Sequence, residues 1–333
     1  GGGYTGLLCA INLIENYNLD VILLEAGKIG WGASSRNGGF CSFPPIKTSF
    51  KNLQKIYGKD ETKEFFKNSV EGSNYTKEII SNYNIDCDVT GESNFILAHH
   101  PNKFKQIKEQ ASVYKREFGI ETQIYSKEEF DKIGHSGNEQ FGALSYKPGF
   151  AINPLKFVNG IAKYAISKKL KIFEHSLVSK IHKNNVNYIL KTKEGTVSTK
   201  KIVVATNGFY QEGLVPQINS RILPVISNII VTRKLTKNEI DLHNFKTFSP
   251  IANTKNLLYY YRKLPDNRIL FGTRGDFIGS DQSNLERSKI MERFLKNIFP
   301  AWSNISIDYN WRGLIAMSQK LTPSIGKIEN EEI

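Results

Sequence analysis

Three glycines at the front of the chain constrain its fold more than any other feature. Gly1, Gly3 and Gly6 stand in the spacing G-x-G-x-x-G. In a dinucleotide-binding turn the first glycine makes the tight bend and the second lets backbone approach a diphosphate. The third lets the helix pack closely on its strand. The sequence that follows agrees. Leu7, Leu8, Ile11 and Ile14 recur near helical spacing, which predicts a helix from Gly3 to about Tyr17. Such a helix presents free N–H groups and the positive end of its dipole to an anion. Val21-Ile22-Leu23-Leu24 is a continuous apolar run of the kind buried on both faces of a parallel sheet, and it ends in Glu25. A carboxylate at that strand end accepts hydrogen bonds from a ribose diol. The competing reading of the glycines is a plain glycine-rich tail.

Composition bounds the rest. A chain of 333 residues suits two domains of roughly 150 residues each. With 40% hydrophobic and 23% charged residues, disorder, a collagen-like fibre and a small disulfide scaffold are excluded. The net charge of +13 comes from 35 Lys and 10 Arg that read as scattered, solvated side chains, so no nucleic-acid partner is expected. The longest apolar stretch, 222–231, is interrupted by Pro224, Ser227 and Asn228, so no membrane span is expected. Cys9, Cys41 and Cys87 lack C-x-x-C spacing, which points to reduced thiols in a cytoplasmic compartment. His99 and His100 would point apart on a strand, and no metal site is expected. The chain opens on glycines rather than Met, and Leu7–Ile14 has neither the basic lead nor the cleavage site of a signal peptide. The expectation is a fragment lacking its first strand and its C-terminal end.

Along the chain, a Gly/Ser-rich loop runs from Gly27 to Gly39 and closes at Pro44 and Pro45. Helices are predicted over 59–84 and 102–118, with strands around Gly91 over 88–98. Asn153 and Pro154 open a further helix to about Lys168. Short strands follow over 171–204, with turns at Asn184-Asn185 and Glu194-Gly195. The last of them, Lys201 to Ala205, stops at Thr206-Asn207-Gly208. Longer strands are predicted over 222–233, 257–262 and 268–273, with a hairpin turn at Pro265-Asp266-Asn267, and then a helix over 285–298. Two textures result: an α/β nucleotide unit, and a second unit inserted into it.

Glycines alone do not separate NAD from FAD. The segment after Glu25 helps: a long loop of small residues, directly after a ribose-binding strand, can wrap a cofactor from its adenine end to its reactive ring. Here the sequence resembles the D-amino-acid-oxidase superfamily of flavoproteins, and within it gamma-glutamylputrescine oxidoreductases and related amine and glycine oxidases. The likeness is carried by residues 1–6, the Leu-Leu-Glu-Ala-Gly of 23–27 and the Gly-Trp-Gly-Ala-Ser-Ser-Arg-Asn-Gly-Gly of 30–39. Further along it is carried by Asn153-Pro154, 203–208, 270–274 and 311–314. The resemblance implies an α/β fold: a Rossmann-like FAD-binding domain with a parallel sheet, and an inserted α+β substrate domain on a mixed or antiparallel sheet. The first would comprise 1–45, 150–210 and 318–333; the second, 46–149 and 211–317. It implies non-covalent FAD, met by Gly1, Gly3, Gly6, Glu25, Ala26, Ala33, Ser34, Arg36, Asn37, Gly38 and Gly39, with Val178, Ala205, Thr206, Asn207 and Gly208.

The activity implied is oxidation of an amine, with hydride passing to FAD and the imine hydrolysed to an aldehyde. Dioxygen, giving hydrogen peroxide, or another electron acceptor would take the electrons. Such chemistry asks for a dry pocket and placement more than for an acid–base pair, and no catalytic residue is assigned. Amino-acid-oxidising relatives carry an Arg clamp in a Gly-Leu-Arg-Pro run; here Gly313-Leu314 is followed by Ile315, which cannot pair a carboxylate. That favours a substrate whose carboxylate is far from its amine, as in a gamma-glutamylated polyamine. Tyr260, Arg274 and Trp311 are candidate substrate contacts. Arg262 is a second candidate grip or a surface ion pair, and Tyr259 and Tyr261 either wall the pocket or pack a strand. Sarcosine-oxidase-like relatives would carry a Lys near Leu270, so another acceptor than dioxygen stays open. Two other readings remain: an RNA-modifying flavoprotein using the positive charge, and a non-catalytic nucleotide-binding module.

Overall fold

The computed structural model describes residues 1–43, 48–184, 186–275 and 278–328. Pro44, Pro45, Asn185 and the end of the 318–333 segment, all named above, lie outside the described residues. The helix Tyr4–Tyr17 buries Leu7, Ala10 and Ile11, the stripe that its spacing predicts. It packs with the helix Pro154–Ser167 in one core that also holds Leu23, Ile152, Phe157 and Ile161. Asn153 caps the second helix by accepting the Lys156 N–H, with Pro154 in the first turn, where its missing N–H costs nothing. The strand Ile22–Leu24 pairs in parallel with Lys171–Phe173. Beside this pair lies a three-stranded antiparallel sheet of Lys180–Asn184, Asn187–Lys191 and Thr196–Thr199.

An eight-stranded sheet carries the rest. Its order is Ile307–Met317, Leu223–Thr232, Ile269–Arg274, Tyr260–Lys263, Ile251–Asn253, Asn94–Leu97, Ala143–Tyr146 and Thr122–Tyr125. Only Ile251–Asn253 and Asn94–Leu97 pair in parallel. The architecture is therefore α/β with a mixed sheet. One face packs on the helix Asp281–Ile298, burying Ile230, Tyr259, Tyr261, Phe271, Met291 and Leu295. Over Ala143–Tyr146, the other face is covered by the helices Phe50–Tyr57, Lys59–Asn82 and Pro101–Phe118, through Leu53, Phe66, Ile107 and Tyr114. The remainder of that second face meets residues 36–39.

Three predicted elements differ. Lys201–Ala205 forms no strand: it joins none of the sheets among the described residues. The 88–98 region holds one strand, Asn94–Leu97, plus a single bridge from Thr90 to Ala151. The loop after Glu25 contains a short helix, Ala33–Arg36, and Ile307–Met317, where no element is predicted, is the longest strand among the described residues. His100 is a cap: its Nδ1 accepts the Asn102 N–H at the start of Pro101–Phe118.

His135 is fully buried beside Phe130, Phe245 and Phe299. Its Nδ1 accepts the Gly137 N–H (3.0 Å), so Nε2 carries the proton and donates to Tyr261 Oη (2.8 Å). Burial pushes its pKa down to about 3. The unfolded chain takes up a proton near pH 6.5, whereas the folded one refuses it until about 3. Stability therefore falls as pH drops through that window, by about 1.4 kcal/mol per pH unit for each such group. His243, also shifted down by burial, adds in the same direction. His135→Gln is expected to flatten the fall of the unfolding midpoint between pH 6 and pH 4.5, whatever it does to the midpoint at pH 7. An unchanged slope in denaturation curves across that range excludes the assignment.

Candidate active site

A cavity of about 860 Å³ lies between the helix Tyr4–Tyr17, the strand Ile22–Leu24, the loop 28–34 and residues 176–178 and 197–207. Of the predicted cofactor residues, Gly1, Gly3, Gly6, Glu25, Ala26, Ala33, Ser34, Val178, Ala205, Thr206 and Asn207 line it. Two helices open onto it. Gly3 and Gly32 are their N-caps, and neither end has a side-chain cap or an acidic residue in its first turn. The Tyr4 N–H donates to Ser34 Oγ (3.1 Å), which holds the two ends together. First-turn amides have no acceptor within their own helix, so this corner is electropositive and suits a diphosphate. The close approach depends on Gly6: a Cβ there would overlap the Gly1 carbonyl oxygen.

Glu25 closes one wall. Its Oε2 accepts the Gly2 N–H (2.5 Å) and its Oε1 the Gly27 N–H (2.8 Å). Each oxygen keeps a lone pair for a further donor, which is what a ribose diol requires. Lys28, Lys200, Lys201 and Lys327 also border the cavity. The positive charge is less scattered than the sequence suggested. Residues 163–201 carry ten Lys against two Glu, a net +8 of the total +13. Lys168 and Lys171 in this stretch pair with Glu15 and Asp20.

The remaining predicted cofactor residues do not line the cavity; they form the partition between it and the large sheet. Arg36 donates from Nε to the Trp31 carbonyl (2.7 Å) and from Nη1 to the Arg312 carbonyl (3.1 Å), and its guanidinium lies over the Trp31 ring. Trp311 Nε1 donates to the Arg36 carbonyl (2.9 Å). Asn37 Nδ2 donates to the Ala33 and Ser34 carbonyls and its Oδ1 accepts the Gly39 N–H. Gly38 lies against the Tyr260 ring, and Gly208 against Leu314 and Ile315. The loop 36–39 thus crosses the sheet at Tyr260, Trp311 and Gly313.

Strand alternation decides which side chains face that loop. Tyr259 and Tyr261 turn into the core beneath Asp281–Ile298, while Tyr260 turns toward the loop. Its Oη meets Ser227 Oγ at 3.0 Å, and burial pushes its phenol up to about 12, so it stays protonated. Arg274, Ser227 and Gly313 stand opposite one another on three adjacent strands, and Gly272, Ile229 and Trp311 form the next row. Directly opposed residues share a face, so Tyr260, Arg274 and Trp311 are brought to one side of the sheet. Ile315, two residues beyond Gly313, is on that side too.

The comparisons with known proteins decide the family. A family model described as FAD dependent oxidoreductase (DAO) matches residues 1–332. The chain belongs to this family. It is an FAD-dependent oxidoreductase. The gamma-glutamylputrescine oxidoreductase of Escherichia coli is 28% identical over 333 residues, covering 99% of this chain and 75% of the relative. Among solved structures, glycine oxidase from Geobacillus kaustophilus superposes with a TM-score of 0.79 at 17% identity, covering 99% of this chain and 85% of that one. L-proline dehydrogenase from P. horikoshii gives 0.76 at 20% identity, covering 100% and 84%.

Sequence reasoning missed two features. Ser227 carries no local motif; only the pairing of distant strands puts it against Tyr260. Arg262 was read as a substrate grip or a surface ion pair. It is neither: it is 2% exposed and donates to the Gly38 carbonyl from Nε (2.9 Å) and to the Ile152 carbonyl from Nη2 (2.7 Å). Glu25→Ala is expected to weaken FAD retention about 10- to 100-fold in the full-length protein, the worth of a charged hydrogen-bond acceptor. Equilibrium dialysis of FAD checks it, and an unchanged Kd removes Glu25 from the site.

Proposed function

We propose that this chain oxidises the C–N bond of an amine whose carboxylate lies far from the reacting carbon, with gamma-glutamylputrescine as the model substrate. The observation that carries the proposal is the arrangement on the sheet. The strand beside the loop presents Trp311, Gly313 and Ile315 and no clamp for a carboxylate. Arg274 stands two strands away, about 10 Å at ~4.8 Å per strand. An α-amino acid cannot span that distance, and a gamma-glutamyl amine can.

In this reading Gly1, Gly3 and Gly6 and the two helix ends hold the diphosphate of FAD, Glu25 the ribose and Val178 the adenine. Ala26, Ala33, Ser34 and Ala205–Gly208 flank its length, and the 36–39 loop carries the reactive end. The Arg36 guanidinium is committed to the Trp31 and Arg312 carbonyls, which supports non-covalent attachment. The chemistry FAD supplies when bound is acceptance of hydride from the carbon that bears nitrogen. Tyr260 Oη and Ser227 Oγ offer a neutral hydroxyl pair that orients the amine without protonating it, which keeps its lone pair available. Ile229, Leu270 and Trp311 exclude water. The imine released hydrolyses to an aldehyde, and dioxygen or another acceptor takes the electrons. The division into 1–45, 150–210 and 318–333 against 46–149 and 211–317 follows as a cofactor unit and a substrate unit. No helix among the described residues is long and apolar enough to cross a membrane. The free thiols at Cys9, Cys41 and Cys87 support a cytoplasmic setting.

The test is anaerobic titration of the FAD-loaded, full-length protein with gamma-glutamylputrescine and with putrescine. Bleaching of the flavin absorbance by the first is expected. Arg274→Met is expected to raise KM for the gamma-glutamyl substrate about 10- to 100-fold, the worth of a charged hydrogen bond, with little change for putrescine. Equal losses on both substrates would overturn the role of Arg274, and no bleaching by any amine would overturn the reaction class.

A further inference from the structure

Arg262 is a buried cation for which the proposed chemistry has no use. It sits on the strand Tyr260–Lys263, directly opposite Leu270, on the face that meets the 36–39 loop. Its two hydrogen bonds go to main-chain carbonyls, Gly38 on one side and Ile152 on the other. The Ile152 N–H in turn donates to the Gly39 carbonyl (2.8 Å). Gly39, at φ +74°, admits the arrangement: a Cβ there would overlap the Ile152 carbonyl and come within 3.0 Å of Nη2.

No carboxylate is hydrogen-bonded to this guanidinium among the described residues. The acid whose field reaches it, Asp88, commits Oδ1 to Lys156 Nζ (2.6 Å) and Oδ2 to Asn153 Nδ2 (3.2 Å). The other titratable group nearby is the Cys41 thiol, which burial raises to about 12 and so keeps neutral. Burial lowers the Arg262 pKa to about 10, still well charged at pH 7. A neutral amide could bridge two carbonyls without the desolvation that a buried charge carries. The charge itself is what the position retains. In the reading proposed above the ribose meets Glu25 and the diphosphate the paired helix ends, which directs the reactive ring further along the loop, toward Gly38 and Gly39.

We propose that Arg262 is a positioning residue that pins the 38–39 backbone against the sheet and supplies a fixed positive charge favouring the reduced, anionic cofactor. The inference rests on FAD lying along the 36–39 loop and is independent of which amine is oxidised.

The test is the two-electron midpoint potential of FAD bound to the full-length protein, measured by spectroelectrochemistry for wild type, Arg262→Gln and Arg262→Lys. Arg262→Gln is expected to bind reduced FAD about tenfold less tightly relative to oxidised FAD, a potential about 30 mV lower. Arg262→Lys keeps the charge and is expected to match wild type at pH 7. A buried lysine gives up its proton at lower pH than a guanidinium, so its potential gains an extra downward step between pH 7 and pH 9 that wild type lacks. That step carries the test alone if Arg262→Gln does not fold. Equal potentials in all three proteins, or a lysine variant without the step, overturn the proposal. Failure of the wild-type protein to retain FAD would instead overturn the cofactor geometry on which it rests.

Discussion

The open N-terminus of the helix Tyr4–Tyr17 is the constraint from which the rest of the site follows. Its N-cap, Gly3, has no side chain to offer and its first turn has no acidic residue, so apart from the Tyr4 N–H held by Ser34 its amides face the cavity. Unsatisfied donors of this kind are stable only where water or an anion answers them. The surroundings serve that end. Gly6 lets the helix approach Gly1, Ser34 ties a second helix end alongside, and lysines border the mouth. Glu25 sets a negative group beside the helix end, and its two backbone bonds fix where its carboxylate faces.

From that corner the loop after Glu25 leads toward the large sheet. The partition of residues 36–39 joins the cavity-bearing core to the eight-stranded sheet without a long linker. Arg36 reaches the Arg312 carbonyl, Trp311 reaches back to Arg36, and Arg262 holds Gly38 from below. All three bonds end on main-chain oxygens. Such anchoring depends on the backbone path and tolerates change in the neighbouring side chains, a useful property where substrate preference varies on a shared scaffold.

What was legible in the sequence was local. The glycine spacing, the stripe of Leu7 and Ile11 and the cap at Asn153 each depend on residues within a few positions of one another. The loop residues 36–39 were legible as a group, but not their task, because a partition is defined by what stands on its other side. Lys201–Ala205 looked like a strand because its apolar character was visible, whereas pairing is a property of two segments. Ser227 went unnoticed, and Arg262 was visible but not its task, for the same reason. Their partners, Tyr260, Gly38 and Ile152, are 33, 224 and 110 residues away. The concentration of lysine at 163–201 was countable from the outset, and only its place beside the cavity gave the count meaning.

The run Tyr259-Tyr260-Tyr261-Arg262-Lys263 has a further consequence. Shifted by one position, the strand would still offer a tyrosine and a cation to each face. Hydrophobic pattern therefore cannot choose its register, as it does in most half-buried strands. The choice falls to the Pro265-Asp266-Asn267 turn, closed by bonds from Leu264 to Arg268 and from Asn267 to Leu264, and to Gly272, whose missing side chain leaves the space that the Tyr260 ring fills. A slipped pairing would be a near-degenerate competitor during folding, compact and well paired yet with Lys263 beneath the 36–39 loop. The hairpin turn thus acts as the proofreading element of the eight-stranded sheet: the register of the whole face that meets residues 36–39 hangs on three residues.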